Sequence, residues 1–292
     1  MQGLCKLCNN YSQLEESHFI PKFIVRWLKK TSITSYLRKL DDMHKRVQDT
    51  AKGYWLCGDC EDLFSGWETK FANKIFFPFV DKGESVANYG EWMSKFCASI
   101  SWRALTYIRS QNPQKDKPKE YYETLDFAEK HLALYVLGKV HNLNQYEQHV
   151  FHLSGIESTT LDRLPPNINR YFLRTVAIDI IGNSSDLFVY TKIPSFMILG
   201  CIKVEKLTKM RSSRIALKSG KISPGKFWWP DGFAEYLLEQ ADKVNQGLSK
   251  IPQEHLDKIE MSIANNPEQA AKSKLIEAFL QDYAMFGEEV FQ

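Results

Sequence analysis

Four cysteines in two CxxC pairs are the residues of this chain best suited to hold a metal. Cys5 and Cys8 form the first pair, and Cys57 and Cys60 form the second. Two pairs with two-residue gaps offer four thiolates at the spacing of a tetrahedral zinc site. A closed Cys₄ site stabilises a fold and does not itself catalyse. The pattern therefore predicts a structural Zn²⁺ that joins the two pairs, the alternative being four unrelated cysteines.

One of the two histidines between the pairs, His18, is the candidate for chemistry. His18 lies in the run Glu16-Ser17-His18-Phe19-Ile20-Pro21. Imidazole suits general-base catalysis because it exchanges a proton near neutral pH. Pro21 is placed to open a short helix whose apolar positions include Trp27. We expect the zinc to hold His18 on a short element between the two halves of the site, the alternative being a packed or surface histidine.

The segment after His18 is strongly basic. Between Lys22 and Arg46, eight basic residues oppose two acidic ones, which gives a local charge of +6. Aromatic residues are interleaved with these charges, as in surfaces that bind a phosphate backbone. The alternative is a solvated helix face. The candidate nucleic-acid-binding residues on the predicted helix are Lys22, Arg26, Lys29 and Lys30.

The first 75 residues or so resemble the HNH endonuclease family, also called the His-Me finger or ββα-metal fold, in its zinc-knuckle form. The resemblance rests on both CxxC pairs, the run 17–21, the run 56–60 and the following Glu61. In that family the histidine at the position of His18 is the general base that deprotonates an attacking water. A divalent ion, Mg²⁺ or a transition metal, stabilises the charge that develops on the phosphate.

The resemblance implies that this ion is bound by the residue before the histidine and by a residue on the helix after the second CxxC pair. Here those residues are Ser17, where an acid or histidine is common, and Glu61, whose carboxylate suits hard Mg²⁺. Glu16 is a further candidate, although on a strand it points the same way as His18. The asparagine usual before the second pair is absent. A variant metal site and an inactive one both remain open.

Composition indicates a globular chain that is not built to cross a membrane. The 292 residues are 43% hydrophobic and 25% charged. The longest apolar run, residues 193–202, is shorter than a membrane span and predicts a buried strand. Since no signal peptide is visible, we expect a cytoplasmic protein with reduced cysteines. Cys97 and Cys201 then fit as small core residues.

The pattern of periodicity predicts an α+β fold in two parts. Residues 1–80 are expected to form the HNH-like zinc-knuckle nuclease module. Residues 81–292 are expected to form a larger α+β region, with helices over 84–140, antiparallel strands over 147–218 and helices over 231–290. This region shows no motif of its own, and we expect it to recognise a partner or a trigger, or to form a homodimer.

Three functions are compatible with these patterns. The first is a metal-dependent HNH endonuclease acting on nucleic acid, with DNA expected in preference to RNA. A role in phage or mobile-element defence rests only on analogy with the general organisation of such nucleases. The second is a catalytically degenerate zinc module that binds nucleic acid or a protein without cleaving. The third is a purely structural zinc site in a protein whose function lies in residues 81–292. None of them involves a membrane.

Overall fold

The computed structural model describes residues 1–34, 36–38, 46–48, 50–111, 117–159, 161, 163–183, 185–248 and 250–291. Several residues used above lie outside these ranges: Lys39, Asp41, Asp42 and Lys45 of the basic stretch. The side chain of Arg46 is likewise not described.

The first part of the chain is a small antiparallel sheet with a helix packed against it. Its elements are β1 (Gln2–Leu4), β2 (Tyr11–His18), α1 (Lys22–Lys30), β3 (Leu37–Arg38), β4 (Arg46–Val47), β5 (Lys52–Cys57) and α2 (Gly58–Phe71). Strands β1, β2 and β5 form one sheet in that order. Strands β3 and β4 form a separate short ladder. The order of β2, β5 and α2 is the strand–strand–helix order that the sequence pattern predicts.

The helical path continues beyond α2. A π-helical turn over Ala72–Phe76 leads into α3 (Phe77–Lys82). Pro78 does not end the helical path: it lies in the first turn of α3, directly after the wider π-helical turn.

The next elements are β6 (Ala87–Gly90), α4 (Trp92–Gln111) and α5 (Lys119–Val136). The prediction that a helix begins at residue 84 was wrong, because Ala87–Gly90 pairs as a strand with residues 219–222. This pairing is remote in sequence, and tertiary contact overrides the local helical pattern. Helix α4 itself is long and almost wholly buried along its first fifteen residues.

The larger sheet follows. Its elements are β7 (Gln148–His152), α6 (Ile168–Arg174), β8 (Ala177–Gly182), β9 (Leu187–Ile193) and β10 (Phe196–Lys203). The four strands are antiparallel in the order β7-β10-β9-β8. Within the region predicted to hold antiparallel strands, residues 168–174 are helical. A further strand, β11 (Ser219–Ile222), pairs with β6.

The apolar run over 193–202 forms β10, as predicted. Phe196 and Ile198 face one core cluster, and Met197 and Leu199 face another. Both faces of the strand are therefore buried, which explains why the run is continuously apolar instead of alternating.

The described residues after β11 form the α-helices α7 (Phe233–Leu248), α8 (Gln253–Asn265), α9 (Pro267–Ala271) and α10 (Lys274–Phe286), followed by a 3₁₀ turn over Gly287–Phe291. The helical path is interrupted between α9 and α10, and α10 starts after Ser273, whose Oγ accepts a hydrogen bond from the Leu275 amide (3.2 Å). The predicted α+β class with antiparallel sheets is confirmed. Within the described residues, each helix is too short or too polar to cross a bilayer.

Helix α4 lies between the small sheet unit and the larger sheet. Trp102 packs with Phe64 of α2, and the Phe71 and Phe96 rings stack at a centroid distance of 4.1 Å. Residues from both sides of position 80 thus share the same core clusters. The division of the chain into two domains stays a prediction, and α4 is the element that connects the candidate site to the rest of the fold.

Candidate metal centre and adjoining polar cluster

The four predicted zinc ligands are gathered at one point. The Sγ atoms of Cys5, Cys8, Cys57 and Cys60 all lie within 4.8 Å of one another. The Cys8 and Cys57 sulfurs are 3.8 Å apart. Tetrahedral zinc with Zn–S bonds of about 2.3 Å requires sulfurs about 3.8 Å apart. The prediction that the four cysteines lie together is confirmed, and they are placed where they could hold a metal ion. A borderline ion such as Zn²⁺ fits four thiolates.

Local backbone geometry shapes the first pair into a tight knuckle. The Cys5 amide donates to the Asn10 carbonyl (2.9 Å), and the Asn9 amide donates back to the Cys5 carbonyl (2.9 Å). Asn9 adopts a left-handed conformation with φ of 62°, which asparagine tolerates better than most residues. The Lys6 amide donates to the Trp55 carbonyl (2.8 Å), which ties the knuckle to β5.

The second pair lies at the junction of β5 and α2. Cys57 ends the strand and Cys60 lies in the first helical turn, where helix-terminal N–H groups favour negative charge. Burial raises the pKa of Cys60, and it raises that of Cys8. Burial opposes ionisation of Cys5 too, but backbone hydrogen bonds around its thiol lower the pKa of Cys5 to about 7. Four adjacent thiolates thus need a metal cation to be held together.

A β-bulge interrupts the pairing of β2 with β5 next to His18. Glu15 pairs with Leu56 and Glu16 pairs with Tyr54, so β5 carries one extra residue at this point. Beyond the bulge Ser17 is buried, whereas Glu15 and Glu16 are both exposed. The Ser17 hydroxyl interacts with the Glu61 carboxyl, so Ser17 faces α2.

Ser17 of β2 and Glu61 of α2 lie close together. Burial raises the pKa of the Glu61 carboxyl, and the Ser17 hydroxyl and the charge of Arg103 partly oppose that rise. Ser17 Oγ and Glu61 Oε1 are both buried, and neither completes a hydrogen bond of good geometry with any described residue. Two buried oxygen atoms that lack complete hydrogen bonds fit as ligands of a hard divalent cation.

Glu16 is placed differently from the other two candidate ligands. Its carboxylate forms an ion pair of 2.7 Å with Lys52 Nζ, and both side chains are 42% exposed. Its charge is therefore balanced at the surface of the sheet. The structure brings together Ser17 and Glu61, and it gives Glu16 a different partner.

Arg103 of α4 completes the polar cluster, and the sequence pattern did not single it out. Its Nη1 is 2.7 Å from Glu68 Oε1 and also donates to the His18 carbonyl oxygen at 3.0 Å. The guanidinium lies over the Phe64 ring at 4.9 Å. Its side chain is only 5% exposed. An arginine inside the apolar face of a predicted helix is a signal that would have found it, because buried charges are rare without a partner.

His18 lies at the end of β2 and is half-buried. Its carbonyl accepts from Arg103, and the next amide, of Phe19, donates to the Ala51 carbonyl at 3.2 Å. The Phe19 ring packs against Trp55 (4.4 Å) and Tyr107 (4.2 Å). The backbone on either side of the imidazole is thus anchored by the sheet and by α4.

The basic helix forms where the sequence predicts it. Pro21 is the residue before the first helical turn, and Ile24, Val25, Trp27 and Leu28 are buried. Lys22, Arg26 and Lys30 are exposed. Lys29 is half-buried and donates to Gln48 Oε1 at 2.8 Å. Positive charges therefore cover the solvent face of α1, and a nucleic-acid role for them stays a prediction.

No protein-family model matches the chain, and no curated protein or solved structure matches it either. The features established for this chain are an α+β fold with antiparallel sheets and four cysteines placed to hold a metal ion such as Zn²⁺.

Proposed function

We propose that the chain is an HNH-type endonuclease that hydrolyses phosphodiester bonds in nucleic acid, with DNA as the expected substrate. The observation that supports this most directly is the pair of buried oxygens of Ser17 and Glu61. Ser17 precedes His18 in the chain, and both oxygens lie in the unit of strands β2 and β5 and helix α2 that carries the four cysteines. Ser17 and Glu61 are the positions at which the family resemblance expects a metal.

In the proposed reaction the His18 imidazole takes a proton from a water molecule. The water oxygen forms a bond to phosphorus, and the bond from phosphorus to the leaving ester oxygen breaks. When bound at Ser17 and Glu61, a divalent cation supplies electrostatic stabilisation of the negative charge that develops. Arg103 fixes the His18 backbone, and the cysteine cluster fixes the start of α2 relative to β2. The protein thus contributes position and charge.

The basic face of α1 follows His18 directly in the chain. Lys22, Arg26 and Lys30 project into solvent from a helix whose other face is anchored in the core. Contacts from these side chains to backbone phosphates would carry no base information, so we expect binding that weakens steeply with salt and shows little sequence preference.

The test is cleavage of supercoiled plasmid DNA and of total RNA by wild-type and His18→Ala protein with Mg²⁺, Mn²⁺ or Ni²⁺, against EDTA. General-base removal should slow cleavage by about 10²-fold or more. His141→Ala, which removes an exposed histidine elsewhere, is the matched control and should cleave like wild type. Cleavage by His18→Ala at the wild-type rate would refute the mechanism.

A second candidate is a degenerate module that binds nucleic acid or protein without cleaving it. The observation in its favour is that protein cations already balance the acidic residues: Arg103 pairs with Glu68, and Lys52 pairs with Glu16. This candidate predicts salt-dependent binding by folded, zinc-loaded protein and no cleavage with any of the three divalent ions. The same plasmid experiment, combined with a binding titration, separates the two.

A further inference from the structure

The C-terminal end of the basic helix is held by an arginine from the other half of the chain. Arg174, the last residue of α6, donates from Nη1 to Thr31 Oγ1 at 2.7 Å. Its Nη2 donates to the Leu28 carbonyl at 3.0 Å and to Ser32 Oγ at 2.8 Å. Three hydrogen bonds from one guanidinium thus converge on the last turn of α1.

Other contacts strengthen this junction. The Arg174 guanidinium lies over the Trp27 ring at 4.7 Å, and the Trp27 Nε1 donates to Asp81 Oδ1 at 2.8 Å. Ser273, which precedes α10, donates from Oγ to the Thr31 carbonyl at 3.1 Å. The end of α1 is therefore fixed by α6 and by the start of α10, both of which lie far along the chain.

The physical need for such a junction follows from the helix itself. Helix α1 has nine residues, and helices of that length are marginal in water without tertiary support. Its last carbonyls lack partners within the helix, and a cation near a helix C-terminus is favourable.

Arg174 is 8% exposed, and its side-chain hydrogen bonds within the described residues go to neutral acceptors. Burial lowers the pKa of its guanidinium, and the charge of Glu277 on α10 partly opposes that change. A buried arginine without a direct ion pair is costly, and this one is placed at the end of α1.

We propose that Arg174 is a positioning residue for nucleic-acid binding: it sets the direction in which α1 presents the exposed Arg26 and Lys30 to a phosphate backbone. This inference rests on the proposed function. Arg174 is itself buried, so it acts through α1 and does not touch the nucleic acid. The second half of the chain then contributes to binding by orienting the basic helix of the first half.

Arg170 provides a matched control on the same helix. It lies one turn before Arg174 and forms a 2.8 Å ion pair with Asp282 of α10, both side chains being largely buried. Its other polar contact is with the Pro166 carbonyl. Replacing Arg170 therefore removes a buried arginine from α6 without removing a contact to α1.

The experiment compares Arg174→Gln, Arg174→Lys and Arg170→Gln with wild type. Each protein is checked for zinc content and circular dichroism, then titrated with a fluorescent DNA duplex over a series of salt concentrations. We expect Arg174→Gln to bind the duplex about tenfold more weakly. The slope of log K for DNA binding against log salt concentration should become shallower by about one to two, since a reoriented α1 makes fewer phosphate contacts and releases fewer counterions. Arg170→Gln should keep the wild-type slope.

A second readout does not depend on DNA. Hydrogen exchange of the amides near Thr31 should accelerate in Arg174→Gln and stay unchanged in Arg170→Gln. The exchange rate in Arg174→Lys should be intermediate between those two. Should Arg174→Gln fail to fold, Ser32→Ala removes one of the three acceptors and should shift both readouts in the same direction by less.

The outcomes separate the two claims. If wild-type protein binds duplex but Arg174→Gln and Arg170→Gln have equal slopes and equal exchange, the positioning role is overturned and the proposed function stands. If folded, zinc-loaded wild type binds no nucleic acid, the proposed function fails and this inference fails with it.

Discussion

Arg103 Nη1 donates a 3.0 Å hydrogen bond to the backbone carbonyl of His18, which joins helix α4 to the end of strand β2. The same nitrogen is 2.7 Å from Glu68 Oε1 on α2. Three elements therefore meet at the candidate general base, and one of them lies beyond residue 80. The proposed nuclease module is complete only when α4 is packed against it.

Replacing Arg103 by glutamine should weaken both fold and activity. Removing one partner from a largely buried ion pair leaves Glu68 uncompensated, and we expect a loss of about 2 to 3 kcal/mol in the free energy of unfolding. Urea denaturation of Arg103→Gln, Glu68→Gln and the double variant measures this. The double variant should cost less than the sum of the two single ones, and strict additivity would show that the pair is not coupled.

Zinc should be present at one ion per chain and should depend on the cysteine cluster. We expect Cys60→Ala to lose the metal and to unfold at a much lower temperature, because metal binding is linked to folding. Cys97→Ala is the control, since Cys97 is equally buried but lies outside the cluster. It should keep its zinc and lose about 1 kcal/mol. Metal analysis by mass spectrometry would contradict the prediction if Cys60→Ala still carried one zinc.

Glu61 should control the response of cleavage to divalent ions, and Glu16 should not. Glu61→Gln removes a buried carboxylate that is only partly satisfied by Ser17, so the Mg²⁺ concentration for half-maximal cleavage should rise at least about tenfold. Glu16→Gln breaks an exposed pair with Lys52, which contributes at most about 1 kcal/mol. Equal Mg²⁺ requirements for the two variants would remove Glu61 from the metal site.

Stability should fall in mildly acidic solution because of one buried and one half-buried histidine of β7. Burial lowers the pKa of His149 and of His152 to about 4. Both stay neutral in the folded state between pH 6.5 and 4, whereas in the unfolded chain they bind protons below about pH 6.5. Unfolding therefore takes up protons, and each histidine removes about 1.4 kcal/mol of stability per pH unit as pH falls through this window.

Urea denaturation at several pH values checks this. His152→Phe, in which a ring still faces Phe79 and Phe196, should show about half of the histidine-dependent slope. His141→Gln, at an exposed site, should keep the whole slope. A slope in His152→Phe as steep as in wild type would exclude His152 as a contributor.

Features set by local spacing were predictable from the sequence. The two CxxC pairs, the strand ending at His18, the basic helix after Pro21 and the buried strand over 196–203 all depend on residues close together in the chain. The α+β class followed from the change of period between helical and strand-like segments. These predictions needed no knowledge of which elements pack together.

Features set by distant pairing were not predictable. The bulge beside Ser17 depends on how β2 meets β5, and Ala87–Gly90 becomes a strand only because residues 219–222 lie beside it. In the sequence Arg103 is one polar position on an otherwise apolar helix, and its contact with Glu68 depends on how α4 packs against α2. In each case the deciding partner is at least 35 residues away in the chain.

The position of Arg103 along the chain also orders events during synthesis. It is 43 positions after Cys60, so the ribosome makes all four cysteines before the residue that fixes His18. At roughly 5 to 20 residues per second this interval lasts about 2 to 9 s. A nascent chain therefore has its four cysteines for seconds before Arg103 can fix the backbone of the candidate base. Under the proposed function, the metal site is synthesised before the site for cleavage is complete.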